Sequence, residues 1–208
     1  AGTVAGLAQS PYGGRAPNYF ILDVASGQVL AQQNADIPLP PASMSKLMTL
    51  AMLLDALDQG RISLDTTWSV SERAHAMGGS SMFLETRDRP TTEDLIRGLA
   101  VVSGNDASVV IAEGLGGTED SFAQMAQARA EQIGMTQTTI ANSSGWPDPR
   151  HRMSLHDLGI LGRYLMIEHA EYYHYLAETE FTWNDITQPN RLPLLSAGIG
   201  MDGLKTGH

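Results

Sequence analysis

Cysteine is absent from the chain, which excludes a disulfide framework, a thiolate metal site and a cysteine nucleophile. Cationic surplus is missing too: 13 Lys and Arg stand against 23 Asp and Glu, for a net charge of −10. That balance argues against nucleic acid or an anionic membrane surface as a partner. No apolar run approaches the ~20 residues that span a bilayer. Residues 1–15 lack the basic start and apolar centre of a signal peptide. Residues 1–16 are rich in small side chains and read as a mobile segment ahead of a folded unit over 17–208. Lysine is nearly absent as well, since only Lys46 and Lys205 occur among the 13 cations. Arginine stays charged, whereas a lysine can be neutralised by burial or act as a compact point charge, so both lysines ask for a specific reason.

What is present is enough apolar sequence, 42% of residues, to bury a core. β-rich runs at 18–24 and 29–33 flank a Ser-Gly turn signal and predict a hairpin. Two prolines, Pro40 and Pro41, then impose an extended approach to an apolar run over 47–57 closed by Gly60. A run apolar on nearly all sides and stopped by glycine reads as a buried helix. Residues 61–89 look short and irregular, with a candidate strand at 66–70 and a glycine-serine loop at 78–81. A capping-box pattern at Thr91–Asp94 opens a helix to about 102. Further helices are expected at 106–115, 118–133 and 154–169, with a shorter one at 171–178. A short strand at 181–183, a turn at 188–191 and the start of a strand at 203–208 complete the pattern.

Three short patterns carry chemistry. Ser43 and Lys46 lie three residues apart at the start of the apolar helix, hence on one face. A buried lysine loses hydration, which favours its neutral form, and a neutral amine beside a hydroxyl is a general base beside a nucleophile. The plainer reading is an N-cap serine and a surface lysine. Ser103-Gly104-Asn105 interrupts two helices, where a hydroxyl can relay a proton and a carboxamide can hold an amide at both ends. Read plainly, it is a helix break with turn-forming residues. Lys205-Thr206-Gly207 offers a cation, a hydroxyl and an approachable backbone, suited to a carboxylate, or else it is a solvent-facing strand end. The histidines at 151, 156, 169 and 174 lack His-Glu-x-x-His spacing, so no metal or other cofactor is expected.

Taken together, Ser-x-x-Lys, Ser-x-Asn and Lys-Thr-Gly occur once each, in that order, and enclose both lysines. The set resembles that of the penicillin-binding proteins and class A β-lactamases. With FILDVASGQVL, PASMSKLMT, GGSSMFL, SGNDAS, QPNRL and DGLKTGH, the chain is most similar to the low-molecular-mass D-alanyl-D-alanine carboxypeptidases, from about residue 17 to 208. The resemblance implies an α+β transpeptidase-like fold, an antiparallel sheet flanked by helices with a mostly helical subdomain. That fold continues past Lys-Thr-Gly with further strands and a helix, so residues 1–208 are expected to be part of a longer polypeptide, and its remainder can carry a membrane attachment. An extracytoplasmic or periplasmic location is implied, with peptidoglycan stem peptides as substrate and β-lactams as covalent inhibitors.

By position, the resemblance implies Ser43 as nucleophile, Lys46 as its base and Ser103 as proton relay to the leaving amine. Asn105 would hold the substrate amide, Lys205 would supply positive potential, and Thr206, beside Gly207, would bind the terminal carboxylate with help from Arg191. The N–H groups of Ser43 and His208 would form the oxyanion hole. Ser144-Gly145 stands where relatives often carry His-Gly. The Glu-x-x-Leu-Asn segment of class A β-lactamases does not occur. A β-lactamase, an amine-accepting transpeptidase and a non-catalytic penicillin or peptidoglycan sensor are the competing readings.

Overall fold

The structure is a computed structural model that describes residues 15–207. Its centre is helix α1 (Lys46–Asp58), entered through a single 3₁₀ turn, Ala42–Ser45. Every residue of α1 from Lys46 to Leu57 is buried. Such all-round burial requires helices on several sides, and α1 touches α3 (Thr92–Ala100), α4 (Asn105–Gly116), α5 (Glu119–Gln132) and α6 (Leu155–Glu168). A short helix, α2 (Glu72–His75), lies against α4.

Side-chain caps explain where four helices begin. Ser71, Thr118 and Ser154 each accept from a backbone N–H three residues on, and Thr91 and Asp94 form a reciprocal capping box. Each such cap satisfies an otherwise orphaned donor. The helices expected at 91–102, 106–115, 118–133 and 154–169 are all present within a few residues of those bounds. That expected at 171–178 is a 3₁₀ segment, Tyr173–Ala177.

The strands form two hairpins. β1 (Tyr19–Leu22) pairs antiparallel with β2 (Val29–Gln33), as the sequence predicts. β1 also lies against α6, where Phe20 meets Gly159 so closely that an added Cβ there would sit 2.4 Å from the ring. β3 (Glu180–Trp183) pairs with β4 (Ile186–Pro189) through Asn184 and Asp185, both at positive φ.

Three expectations need correction. Residues 66–70 are no strand: they form one bridge, Thr67 to Thr91, and are pinned instead by buried Trp68, whose Nε1 donates to Thr92 Oγ1 at 2.9 Å. Gln188 and Pro189 belong to β4 rather than to a turn, because Asn184-Asp185 tolerates the left-handed backbone that a tight hairpin needs. Residues 203–207 carry no strand among the described residues. α2 is an addition, too short for periodicity to reveal and marked only by its Ser71 cap. Among the described residues no helix is long and apolar enough to cross a membrane.

Candidate active site

The chemistry gathers at the start of α1. Ser43 lies in the 3₁₀ turn, and Lys46 is the first residue of α1, directly beneath it. Lys46 is 1% exposed; its Nζ lies 3.1 Å from Ser43 Oγ and donates to the carbonyl of Ser144 at 2.6 Å. Among the described residues no carboxylate comes within ion-pair distance of it. Burial first, and the charge of Lys205 second, push this amine down to about 7 against the opposing pull of Asp106. The positive end of α1 acts in the same direction. A neutral amine with one N–H fixed on a carbonyl keeps a lone pair for the serine hydroxyl.

Ser144 is held from below. Buried Glu119 accepts from the N–H of Ser143 at 3.1 Å and from its hydroxyl at 2.7 Å, and it pairs with Arg73. Thr49, one turn along α1 from Lys46, donates to Ser143 O at 2.6 Å. Gly145 follows at φ +81°, and a Cβ there would lie 1.9 Å from the carbonyl oxygen of Ala42. Only glycine fits both that conformation and that gap. The loop in which this chain carries Ser-Gly thus contributes through its backbone, not through the Ser144 side chain.

The junction of α3 and α4 supplies the second wall. Ser103, at φ +60°, is 3% exposed. Its hydroxyl accepts from Lys205 Nζ at 2.7 Å. Asn105 opens α4; its Nδ2 donates to Gly78 O and its N–H to Ser80 O, both at 2.7 Å. Asp106 accepts from Ser81 Oγ, Met82 N and Leu84 N at 2.7, 3.1 and 3.0 Å, so the α4 N-terminus buttresses the whole 78–84 loop. The third wall is the segment 191–207. Lys205 is pushed down to about 8, by burial and then by Arg191. Thr206 Oγ1 lies 3.4 Å from Arg191 O, and the guanidinium of Arg191 donates to Gln188 Oε1 at 3.0 Å.

A cleft of about 600 Å³ runs between these walls, lined by Ser43, Gly79, Ser80, Ser103, Arg191, Thr206 and Gly207. All the residues singled out in the sequence border it or contact its lining, except His208, which lies outside the described residues. None of the histidines at 151, 156, 169 and 174 lines it. Sequence reasoning passed over Asp106, although it sits inside the SGNDAS run. It also passed over Glu119, which reads as an ordinary acidic residue in the first turn of a helix.

Solved structures share this fold. Penicillin binding protein 5 from Haemophilus influenzae is 36% identical with a TM-score of 0.89, over 93% of this chain and 57% of that one. Penicillin-Binding Protein D2 from Listeria monocytogenes, solved in its ampicillin-bound form, is 28% identical with a TM-score of 0.81, over 93% and 79%. The fold is therefore the α+β penicillin-binding fold. The chain belongs to the D-alanyl-D-alanine carboxypeptidase family, which it matches over residues 6–208. Among curated members, D-alanyl-D-alanine carboxypeptidase DacC of Escherichia coli (strain K12) is 38% identical over 196 residues, 91% of this chain and 49% of that protein. The chain spans about half the length of the curated relatives it matches.

Proposed function

We propose that this chain carries the acyl-transfer site of a serine-type D-Ala-D-Ala carboxypeptidase, which removes the terminal D-alanine of peptidoglycan stem peptides through an ester on Ser43. The observation that carries the reading is the buried Lys46 amine, beside Ser43 and, among the described residues, without a carboxylate at ion-pair distance. Lys46 takes the Ser43 proton as Oγ attacks the scissile carbonyl. The oxyanion is met by the N–H of Ser43, with that of His208 as the second donor; one such donor is typically worth about 3 kcal/mol. Ser103, bonded to Lys205, relays a proton to the leaving nitrogen and recovers in exchange the one that Lys46 took from Ser43. D-alanine thus departs as the neutral amine, and both lysines and Ser103 return to their starting states. Water then attacks the ester, returns Ser43 to its hydroxyl and frees the shortened peptide. Asn105 holds the amide of the acyl part. Thr206, Lys205 and Arg191 hold the terminal carboxylate.

A β-lactam would acylate Ser43 by the same attack, and the relative solved with ampicillin supports this. Among the described residues no carboxylate lines the cleft to activate a deacylating water, which disfavours a β-lactamase. The site would work in the periplasm or otherwise outside the cytoplasm, with any membrane attachment supplied from the C-terminal side. The test is D-alanine release from a peptide ending in D-Ala-D-Ala, with the acyl group located on Ser43 by mass. Transfer to an added amine in preference to water would make it a transpeptidase. Penicillin labelling without peptide turnover would make it a sensor. Equal kcat/KM for a terminal acid and its amide would overturn the carboxylate assignment.

A further inference from the structure

Four carboxylates are buried among the described residues: Asp55, Asp106, Glu119 and Asp157. Burying a carboxylate is costly unless partners offset it, so each is defined by what it binds. Asp55 gathers Arg129, Tyr164 and His169 at the far end of α1. Asp157 accepts from Gln137 N and Thr138 Oγ1 at 2.7 Å each, and Asp106 fixes the 78–84 loop. Glu119 differs, because the segment it binds is itself bonded to Lys46. It opens α5 behind the Thr118 cap, where free helical N–H groups favour a negative charge. Its Oε1 accepts both bonds from Ser143, and its Oε2 faces Arg73 of α2. The next residue is Ser144, whose carbonyl accepts from Lys46 Nζ.

This strip of chain is thin. Lys46 and Thr49 tie it to α1. A cavity of about 310 Å³ lies against it, lined by Arg73, Glu119, Asn142 and Ser144 among others and not by Lys46. The N–H groups of Ser144 and Gly145 donate to Asn142 Oδ1, which shapes the turn without attaching it to a helix. Glu119 supplies the attachment to α5. Without it the strip has room to shift into the cavity, and water gains a way to the amine. We propose that Glu119 is a positioning residue for the base: through Ser143 it holds the Ser144 carbonyl against Lys46, keeping that amine covered and aimed at Ser43. The inference rests on the carboxypeptidase reading in taking Lys46 as that base.

The test follows acylation of the complete protein by penicillin across pH, with the rate constant at saturation separated from the binding constant. Lys205 and Asp106 are the charges that act on Lys46, Arg191 stands behind Lys205 and Arg73 behind Glu119, and all four are left in place. Burial is the first cause that brings Lys46 down to about 7, so uncovering it must move the rising limb to higher pH. Glu119→Ala should slow acylation roughly 10²-fold near neutral pH, the scale of a group displaced by about 1 Å, with binding changed by no more than about twofold. Its limb should rise by about one pH unit or more, so the deficit narrows severalfold by about pH 9. Rates are read as ratios to wild type at each pH, which cancels any alkaline loss from Lys205. Glu119→Gln keeps one acceptor oxygen, should fall between the two, and carries the test if the alanine variant does not fold. A limb that stays at the wild-type position, or moves down, overturns the positioning role however much rate is lost, because a merely structural defect lowers the rate at every pH alike. A wild-type profile with no rising limb overturns Lys46 as base and this inference with it. A shifted limb in a protein that releases no D-alanine supports the role of Glu119 and overturns the carboxypeptidase reading alone.

Discussion

The two ends of α1 treat a buried charge in opposite ways. Lys46 begins the helix and Asp55 lies in its last turn; both are buried. At each end the helix dipole also opposes the charge that sits there. Lys46 is offered a hydroxyl and a carbonyl and, among the described residues, no anion within ion-pair distance. Asp55 is offered Arg129 at 2.8 Å, Tyr164 at 2.5 Å and His169 at 3.1 Å. Burial alone would raise the Asp55 carboxyl, but the bonds from His169, Arg129 and Tyr164 outweigh it and hold the group down to about 2. At Lys46, burial meets too little opposition, and the amine falls to about 7. A buried group given partners stays charged and serves the fold. One denied them becomes reactive.

Exchanging the demands at the two ends should break this contrast most visibly. Lys46→Arg places a cation that cannot be deprotonated where the proposed mechanism calls for a base. Acylation by penicillin should fall about 10²–10⁴-fold while cooperative unfolding persists, and Ser43→Ala should abolish labelling altogether. Near-normal acylation of the arginine variant, followed by intact mass, would remove Lys46 from the base role.

The converse substitution acts on stability. Asp55→Ala strips the carboxylate from Arg129, Tyr164 and His169 and should cost about 2–4 kcal/mol in denaturant unfolding. Acylation of the folded fraction should stay within about twofold, because the network sits three turns of helix from Ser43. Loss of labelling without loss of stability would mean that the two ends are coupled in a way burial and pairing do not explain.

Acid should find the same end of the helix. Asp55 has its folded value depressed from 3.8 to about 2, so its contribution is complete above pH 4 and disappears as pH falls through 2. A shift of that size corresponds to about 2 kcal/mol of unfolding free energy lost across the window. Asp55→Asn should flatten the decline over the same range. An unchanged acid slope in that variant would show that other carboxylates govern acid unfolding.

Much of this was legible in the sequence where local rules decide. The caps at Thr91 and Ser154 and the apolar run of α1 announce their helices because each signal lies within a few residues of its consequence. Ser43, Lys46, Ser103, Asn105 and Lys205 could be picked out because their patterns are short and lysine is so scarce. The rest depends on contacts that no local pattern encodes. Glu119 reaches Ser143 across 24 residues, and Lys46 reaches Ser144 across 98. Trp68 turns a strand-like stretch into a pinned loop through a bond to Thr92, 24 residues on. Gly145 reads as a turn glycine, and only the fold brings it against Ala42, 103 positions earlier in the chain.

The smallest expected effect tests whether the two lysines are coupled. Burial is the larger cause of the depressed Lys46 value and the Lys205 charge the second. Wild-type acylation should therefore rise as pH climbs through about 7, where the Lys46 amine becomes neutral. For a substrate bearing a carboxylate it should decline again above about 8, as Lys205 loses the charge that burial, and then Arg191, already weaken. Lys205→Gln removes a positive charge from beside Lys46, so the ammonium is opposed less and its midpoint must move to higher pH. The decline at alkaline pH should vanish in the same variant. Both features are read as positions on the pH axis, so the lower rate expected from poorer carboxylate binding does not obscure them. If the rising limb of Lys205→Gln stays at about 7, burial alone sets the Lys46 base, and Lys205 acts on the substrate without tuning its neighbour.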